Sequence, residues 1–533
     1  MSEVPQLFRL LKKYPAMNMM NTEVELKLRV GPESLDALAA NPILVSPSAS
    51  SGHLHATYFD TPGLRLHEQA ISLRVRREGE QFVQTLKTGD AGPAGLHRRN
   101  EWEAPVRSNK PDLNLLPDKV IREYFEDIAE TDLAPVFETI VERTTRHLDY
   151  GNSTDGAAAI EVSLDRGEIR AGETVVPIAE VELELKLGPA QALFDLALEL
   201  VDMQPARVET RSKAERGYAL VAGDTDCAVK AGRLGLDADA SGDDALAGII
   251  RHCITHMIAN EACVAAGIDP EGIHQMRVAL RRLRSAMVLF RRYVPAEQYA
   301  WLNAEVKWLA GSLGEARDWD AYSASLLAPV RSAMPDAAEL HALGVAVETV
   351  RRRSYKAAQE AVGSARYTIL LLKLQAWLET RAWRSQETTG KAALLMRPVS
   401  DLAGKLLSKR HRKVCKLGRD FASLPSEQRH EVRKALKKLR YSVEFFQSLY
   451  AGKRLKQYLD RLEGLQDDLG HLNDVATARD LTERLKKDNP RVAGDWRVGC
   501  GVVLGWHTQA AGILEPRLLE HWDRFAEAKP FWR

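Results

Sequence analysis

The stretch Glu180-Val181-Glu182-Leu183-Glu184-Leu185-Lys186-Leu187, echoed near the start of the chain by Glu23-Val24-Glu25-Leu26-Lys27-Leu28, alternates charge with aliphatic residues at strict period two. That period belongs to a β-strand with unlike faces. Here the polar face is wholly ionic, with carboxylates followed by a lysine. A solvated face on which Glu and Lys pair with their neighbours explains one such segment. Two of them meeting side by side make a cluster of carboxylates, which repel unless a cation lies between them. All-oxygen ligand sets of this kind suit Mg²⁺ or Mn²⁺.

The same alternation recurs along the first 220 residues. Ser72, Arg74 and Arg76 oppose Ile71, Leu73 and Val75; Thr85 and Lys87 flank Leu86; Arg99, Glu101 and Glu103 oppose Trp102 and Ala104. Arg143 and Thr145 follow Val141, and Glu161, Ser163 and Asp165 alternate with Ile160, Val162 and Leu164. A closed antiparallel barrel of about eight strands has a lumen just wide enough for side chains or one small ligand. With the ionic faces turned inward it becomes a tunnel of acids and bases, and the apolar outer faces call for cover helices near residues 33–40, 117–130 and 190–202. Arg forks and Lys point charges match phosphate oxygens, while carboxylates hold a metal that bridges those oxygens. No GxxxxGK[ST] or GxGxxG stretch occurs, so side chains must take the place of a glycine-rich phosphate turn.

In order along the chain, Glu23-x-Glu25-x-Lys27, Tyr58-Phe59-Asp60-Thr61-Pro62, Leu73-Arg74-Val75-Arg76, Leu86-Lys87, the Glu180/Glu182/Glu184 strand and Ser212-Lys213-x-x-Arg216-Gly217-Tyr218 resemble the CYTH domain. These domains are also called triphosphate tunnel metalloenzymes. The resemblance covers residues 19–221 and implies an eight-stranded closed tunnel that hydrolyses or cyclises triphosphates with Mg²⁺ or Mn²⁺. It makes Glu23, Glu25, Glu180 and Glu182 the expected metal ligands. Lys27, Arg74, Arg76, Lys87, Arg143, Lys186 and Lys213 become the expected phosphate grip. Glu161, Asp165 or Glu184 is expected to orient the attacking water, a choice the sequence leaves open.

The second half of the chain repeats itself. His274-Gln-Met-Arg277-Val-Ala-Leu-Arg281-Arg282-Leu-Arg284 aligns with His430-Glu-Val-Arg433-Lys-Ala-Leu-Lys437-Lys438-Leu-Arg440, and Leu313-Gly314 through Asp318 aligns with Leu469-Gly470 through Asp474, both at an offset of 156 residues. A gap-free offset over such a span marks a duplicated unit. The intervals between the motifs read as long amphipathic helices, hence an all-α bundle with approximate two-fold symmetry. In each copy the cations fall at i, i+3, i+7 and i+10: His274, Arg277, Arg281, Arg284 and His430, Arg433, Lys437, Arg440. That spacing places them on one helical face, where like charges repel and add nothing to helix stability. A solvated face neutralised by neighbouring acids is the alternative. Lys409 to Lys413 add a further basic run. This half, residues 244–533, resembles the CHAD domain, which implies binding of inorganic polyphosphate. Zinc spacing is lacking around the histidines, and the rows have no interleaved aromatics for base stacking, which disfavours nucleic acid.

The 533-residue chain has 45% hydrophobic residues and a net charge of +1, so any affinity for polyanions must come from local arrangement. The expected class is therefore α+β, with an N-terminal eight-stranded tunnel over 19–221, a linker over 222–243 and a helical domain over 244–533. Cys227, Cys253, Cys263, Cys415 and Cys500 are scattered without a CxxC pair, which suits a reducing cytoplasm. No signal peptide or apolar span of membrane length is read, so no membrane partner is expected. Met19-Met20 leaves open whether residues 1–18 belong to the native product. The expected activity is hydrolysis of tripolyphosphate to pyrophosphate and phosphate. Its rivals are an organic triphosphatase, a nucleotide cyclase, or a non-catalytic polyphosphate receptor.

Overall fold

The computed structural model describes residues 22–45, 49–89, 96–151, 157–223, 226–384, 393–488 and 491–532. The chain forms two compact units, Met1–Asp226 with Gly363–Thr380, and Cys227–Val362 with Arg381–Arg533. Residues 19–21 of the expected first domain, the Arg99 side chain and the side chain of Asp474 lie outside the described residues.

The first unit is built on an antiparallel sheet of nine strands: β1 Thr22–Val30, β2 Ser50–Asp60, β3 Ile71–Glu78, β4 Gln81–Thr88, β5 Leu96–Val106, β6 Ala134–Tyr150, β7 Ala158–Ala171, β8 Thr174–Leu187 and β9 Ala206–Val208. Their order is β5-β4-β3-β2-β6-β7-β8-β1-β9. One edge of β1 pairs with β8, bringing the two ionic segments together as Glu25↔Glu184, Lys27↔Glu182 and Arg29↔Glu180. The other edge of β1 is divided: Thr22–Leu26 pairs with β5 and Leu28–Val30 with β9. Eight strands were expected; the ninth is a three-residue addition on β1.

Period two sends the aliphatic residues of these strands to the side opposite the charges. Leu73, Val75, Leu86 and Phe59 join Val120, Phe125 and Leu116 in one apolar cluster, under the helix Asp118–Tyr124. The helix Gln191–Met203 buries Leu193, Phe194, Leu196 and Leu200 against β1, β8 and β9. Two expected cover helices thus appear as Pro32–Ala39 and Gln191–Met203, while the one expected over 117–130 runs only from Asp118 to Tyr124, before a 3₁₀ turn at Glu130–Asp132.

A further helix, Ala365–Glu379, also belongs to this unit, although the sequence places it inside the duplicated half. Its Thr368 hydroxyl donates to the Ala206 carbonyl of β9 at 2.9 Å. Its near-continuous apolar run, including Leu370, Leu371, Leu372 and Leu374, is buried.

The second unit is helical and shows the duplication directly. Pro270–Phe290 and Ser426–Phe446 are both 21 residues long, and each runs into a 3₁₀ turn, Arg291–Tyr293 or Gln447–Leu449. Gly242–Ile258 packs on the first and Val399–Leu417 on the second, and Ala338–Val362 packs on Trp496–Ala526. The copies differ between these helices. Lys453–Asp488 is a continuous 36-residue helix, whereas its counterpart breaks into Ala296–Ser312, Gly314–Ala321 and a π-helical segment Tyr322–Leu327. Among the described residues, no helix or strand lies between Gly223 and Ser241, within the span expected to link the domains. No described helix is long and apolar enough to cross a membrane.

Candidate active site

The strand register assembles the charged rows. Across β1, β8 and β7, Glu25 stands beside Glu184 and Glu184 beside Glu161; Lys27 faces Glu182, which faces Ser163. On the opposite wall Arg74 lies beside Thr85 and Tyr58, and Lys87 beside Ser72 and Glu101. These faces enclose a cavity of about 260 Å³. It is lined by seven carboxylates, Glu23, Glu25, Glu101, Glu103, Glu161, Glu182 and Glu184, and seven cations, Lys27, Arg74, Arg76, Lys87, Arg143, Lys186 and Lys213.

The motif at Ser212 closes one part of the wall. Ser212 caps the helix Lys213–Ala222 by accepting from the Glu215 amide, and the Glu215 side chain accepts from the Ser212 amide. Lys213 and Arg216 therefore sit one turn apart on the same helical face. The Lys213 ammonium donates to Asp165 Oδ2 at 2.6 Å, to Glu182 Oε1 at 2.8 Å, and to Glu180. Arg216 reaches Glu180 Oε2 at 2.8 Å. Gly217 is required: a Cβ there would lie 2.1 Å from the Phe137 ring. Tyr218 then stacks on His67 and meets Phe137 edge-on. Asp60 of the Tyr58-Phe59-Asp60-Thr61-Pro62 turn is structural. Its buried carboxylate accepts the amides of Thr61, Leu66 and His67 at 2.7, 3.0 and 3.0 Å.

Burial penalises every charge here, so the shifts show which groups find partners. Burial raises the Glu182 carboxyl, but Lys213, Lys27 and Arg143 overcome it and hold it well below the usual carboxylate range. Asp165 is also held low, by Lys213 and Arg143 against its burial. Glu25 is different: burial and the neighbouring Glu182 push it up to about 7 despite Lys27 at 2.8 Å. Burial likewise raises Glu184 despite Lys186 at 2.6 Å. Glu23 is held low by Lys87, which lies at 2.7 Å. Arg74 has no carboxylate within ion-pair distance among the described residues. Its charge is nonetheless favoured against burial, by the Tyr58 phenol and more distant Glu101 and Glu103.

Of the fourteen barrel residues expected at the site, twelve line the cavity; Glu180 and Asp165 do not. Those two are almost fully buried and form with Glu182 a carboxylate triad whose oxygens lie within 4.8 Å of one another. Lys213 occupies the middle of that triad. Sequence reasoning passed over Tyr58, Arg216 and His147 as site residues. The signal for Arg216 was its i, i+3 spacing from Lys213; that for His147 was its period-two spacing from Arg143 and Thr145, although its partner Glu161 is set only by the register of β6 and β7.

In the second unit the two basic rows converge in part. His274 and Arg281 from one copy and Arg433, Lys437 and Arg440 from the other line a cavity of about 720 Å³. Arg277 donates to the Ala310 carbonyl at 2.6 Å and lies outside it, while His430 joins Arg433 at a neighbouring cavity of about 680 Å³. Arg284 belongs to another cluster: burial, then Lys413, Arg410, Arg284 and Lys434, lowers the Lys438 ammonium. His274 accepts from Arg317 Nε at 2.7 Å, and burial together with that guanidinium lowers its imidazole to about 4. It is therefore a neutral acceptor at physiological pH.

Comparison with known proteins finds two families, the second of which also spans Gly363–Thr380. Residues 21–218 match the CYTH domain family and residues 248–483 the CHAD domain family. The chain thus joins a CYTH domain to a CHAD domain. It is 35% identical over 212 residues to an inorganic triphosphatase of Haemophilus influenzae, a match covering 38% of this chain and 56% of that protein, so the chain spans about half the length of this relative. An uncharacterised protein of Mycobacterium tuberculosis is 26% identical over 409 residues, covering 73% of this chain and 75% of that one. Among solved structures, the CHAD domain from the plant Ricinus communis is 31% identical, covering 57% of this chain and 98% of that one, with a TM-score of 0.49.

Proposed function

We propose that the first unit is a metal-dependent inorganic triphosphatase that cleaves tripolyphosphate to pyrophosphate and phosphate inside a closed tunnel. The pairing of β1 with β5, at opposite ends of the eight-strand order, supports closure. The observation that carries the activity is the cavity's lining of seven acids and seven bases. A phosphate grip alone would be net positive. A balanced lining accepts a highly charged anion only when the anion arrives with compensating cations, because a buried charge needs a partner.

The donor set fits a hard cation. Glu23, Glu25 and Glu182 offer carboxylate oxygens into the cavity, with Glu180 beside Glu182. Burial first, and then the neighbouring Glu182, raises the Glu25 carboxyl, so a cation beside it would favour its charged, ligating form. Mg²⁺ or Mn²⁺ held there would neutralise charge on the phosphate chain and polarise it towards attack. Arg74 is the cation least committed to protein carboxylates, so it is assigned to grip phosphate directly. Lys87, Arg76 and Lys186 each share carboxylates with the wall and exchange them for phosphate oxygens. Arg143, tied to Asp165 and Glu182, holds the acidic rows in register. The Haemophilus relative, an inorganic triphosphatase by name, agrees with this reading.

The second unit is assigned to bind inorganic polyphosphate at the cavity shared by the two rows, using Arg281, Arg433, Lys437 and Arg440, with His274 as a neutral neighbour. A cytoplasmic setting is supported by the five cysteines, which form no disulfide among the described residues. The test is Glu25→Gln in the full chain. Metal-dependent phosphate release from tripolyphosphate should disappear while the fold is kept; unchanged turnover at saturating Mg²⁺ would overturn the ligand assignment.

A further inference from the structure

Three carboxylates were open as the group that orients the attacking water, and the structure separates them. Asp165 is wholly buried, outside the cavity lining, and both its oxygens are taken: Oδ1 by Arg143 Nε at 2.7 Å, Oδ2 by Arg143 Nη2 and Lys213 at 2.6 Å each. Glu184 lines the cavity but is held by Lys186 at 2.6 Å. Glu161 lines the cavity with a looser hold, Lys186 at 3.5 Å from Oε1. Its other oxygen, Oε2, meets His147 Nε2 at 3.0 Å.

His147 and Glu161 are cross-strand partners on β6 and β7, so they share a face. The glutamate belongs to the cavity wall, whereas His147 is not among the cavity-lining residues and its side chain is 28% exposed. Among the described residues, Lys186 and Glu184 from β8, Glu23 from β1 acting on both, and Asp149, next on the same face of β6, are charged groups near the pair. A carboxylate facing substrate and backed by an imidazole that reaches solvent can take a proton from a confined water and pass it out.

We infer that Glu161 receives the proton of the attacking water and that His147 is its positioning and proton-relay partner, connecting the cavity to bulk solvent. The inference rests on the triphosphatase reading above. In the step, the water oxygen forms a bond to the terminal phosphorus as the bridging P–O bond breaks, and that electron pair leaves on pyrophosphate. One water proton stays on the orthophosphate product. The other passes to Glu161 and from it to Nε2 of the Nδ1–H tautomer of His147; the imidazolium releases its Nδ1 proton to solvent, and exchange with solvent restores that tautomer.

The test is steady-state hydrolysis of tripolyphosphate at saturating Mg²⁺ by the full-length wild type, His147→Gln and His147→Ala. Gln keeps an amide that can hydrogen-bond Glu161 but cannot carry a proton. His147→Gln should lower kcat on the order of tenfold, below the 10²-fold or more typical of a lost general base, and leave KM unchanged. Added imidazole should restore part of the turnover of His147→Ala. Wild-type kcat in His147→Gln, or no response of His147→Ala to imidazole, would overturn the relay while leaving the hydrolase reading intact. No turnover by the wild type would overturn both.

Discussion

Replacing Lys213 with methionine removes the ammonium that three buried carboxylates share. Its contacts to Asp165 and Glu182 are 2.6 and 2.8 Å, with Glu180 as the third partner. At 2.8 Å and an effective dielectric near 20, each attraction is ~6 kcal/mol before desolvation. Most of that offsets the cost of burying the four charges. Removing one partner from a buried ionic cluster typically costs about 3–5 kcal/mol, because the remaining charges stay buried. In Lys213→Met, the cations left on Asp165, Glu180 and Glu182 among the described residues are Arg143 and Arg216, with Lys27 on Glu182. The melting transition of the first unit, followed by calorimetry on the full chain, should fall by roughly 6–20 °C. The vacated triad should then favour a divalent cation, so Mg²⁺ or Mn²⁺ should recover more melting temperature in the variant than it adds to the wild type. A variant melting within about 2 °C of wild type without metal would refute the reasoning, since shifts that small correspond to under 1 kcal/mol.

Glu25 has a folded-state pKa raised to about 7 from 4.5, so its contribution to metal-free stability is complete below 4.5 and is lost as pH rises through about 7. Metal-free Glu25→Gln should therefore be more stable than wild type at pH 8 by on the order of 2–3 kcal/mol and lose the decline between pH 5 and 8; parallel melting curves in the two proteins would count against it. Arg74→Ala should raise KM for tripolyphosphate about tenfold, the loss of a contact worth ~1.5 kcal/mol, with little effect on melting; Arg143→Ala should mainly lower the melting temperature. Gly217→Ala drives a methyl into the Phe137 ring and should cost about 1–3 kcal/mol in denaturant unfolding. Reversing Arg281, Arg433 and Lys437 to Glu should abolish polyphosphate binding by the full chain and its steep salt dependence, without touching tripolyphosphate hydrolysis.

The ionic strands were legible because period two is a local signal: Glu180-x-Glu182-x-Glu184 and Glu23-x-Glu25-x-Lys27 declare their faces without any partner. Register was not local. Whether Glu25 lands beside Glu184 or Glu182 depends on how β1 aligns with β8, and the His147–Glu161 contact depends on β6 and β7. Cation placement in the helical unit followed the same rule. Spacing put four residues on each face correctly, yet Arg277 and Arg284 went to other partners because helix packing divides a face between neighbours. The helix Ala365–Glu379, inside the CHAD match yet grouped with the first unit, was hard to place for a different reason. Its run of buried leucines fits a bundle core and a sheet cover equally well, and only its contacts with β9 and Gln191–Met203 decide. A fragment cut at 244–533 would expose that surface, so binding tests belong on the full chain.

The account stands most directly on phosphate release from tripolyphosphate by the purified chain, measured with Mg²⁺ or Mn²⁺ and with EDTA, beside thiamine triphosphate and ATP. Rapid release of one orthophosphate and one pyrophosphate per tripolyphosphate, abolished by EDTA and faster than with either organic triphosphate, is the predicted result. Turnover that persists in EDTA, a preference for ATP or thiamine triphosphate, or binding without cleavage would contradict it.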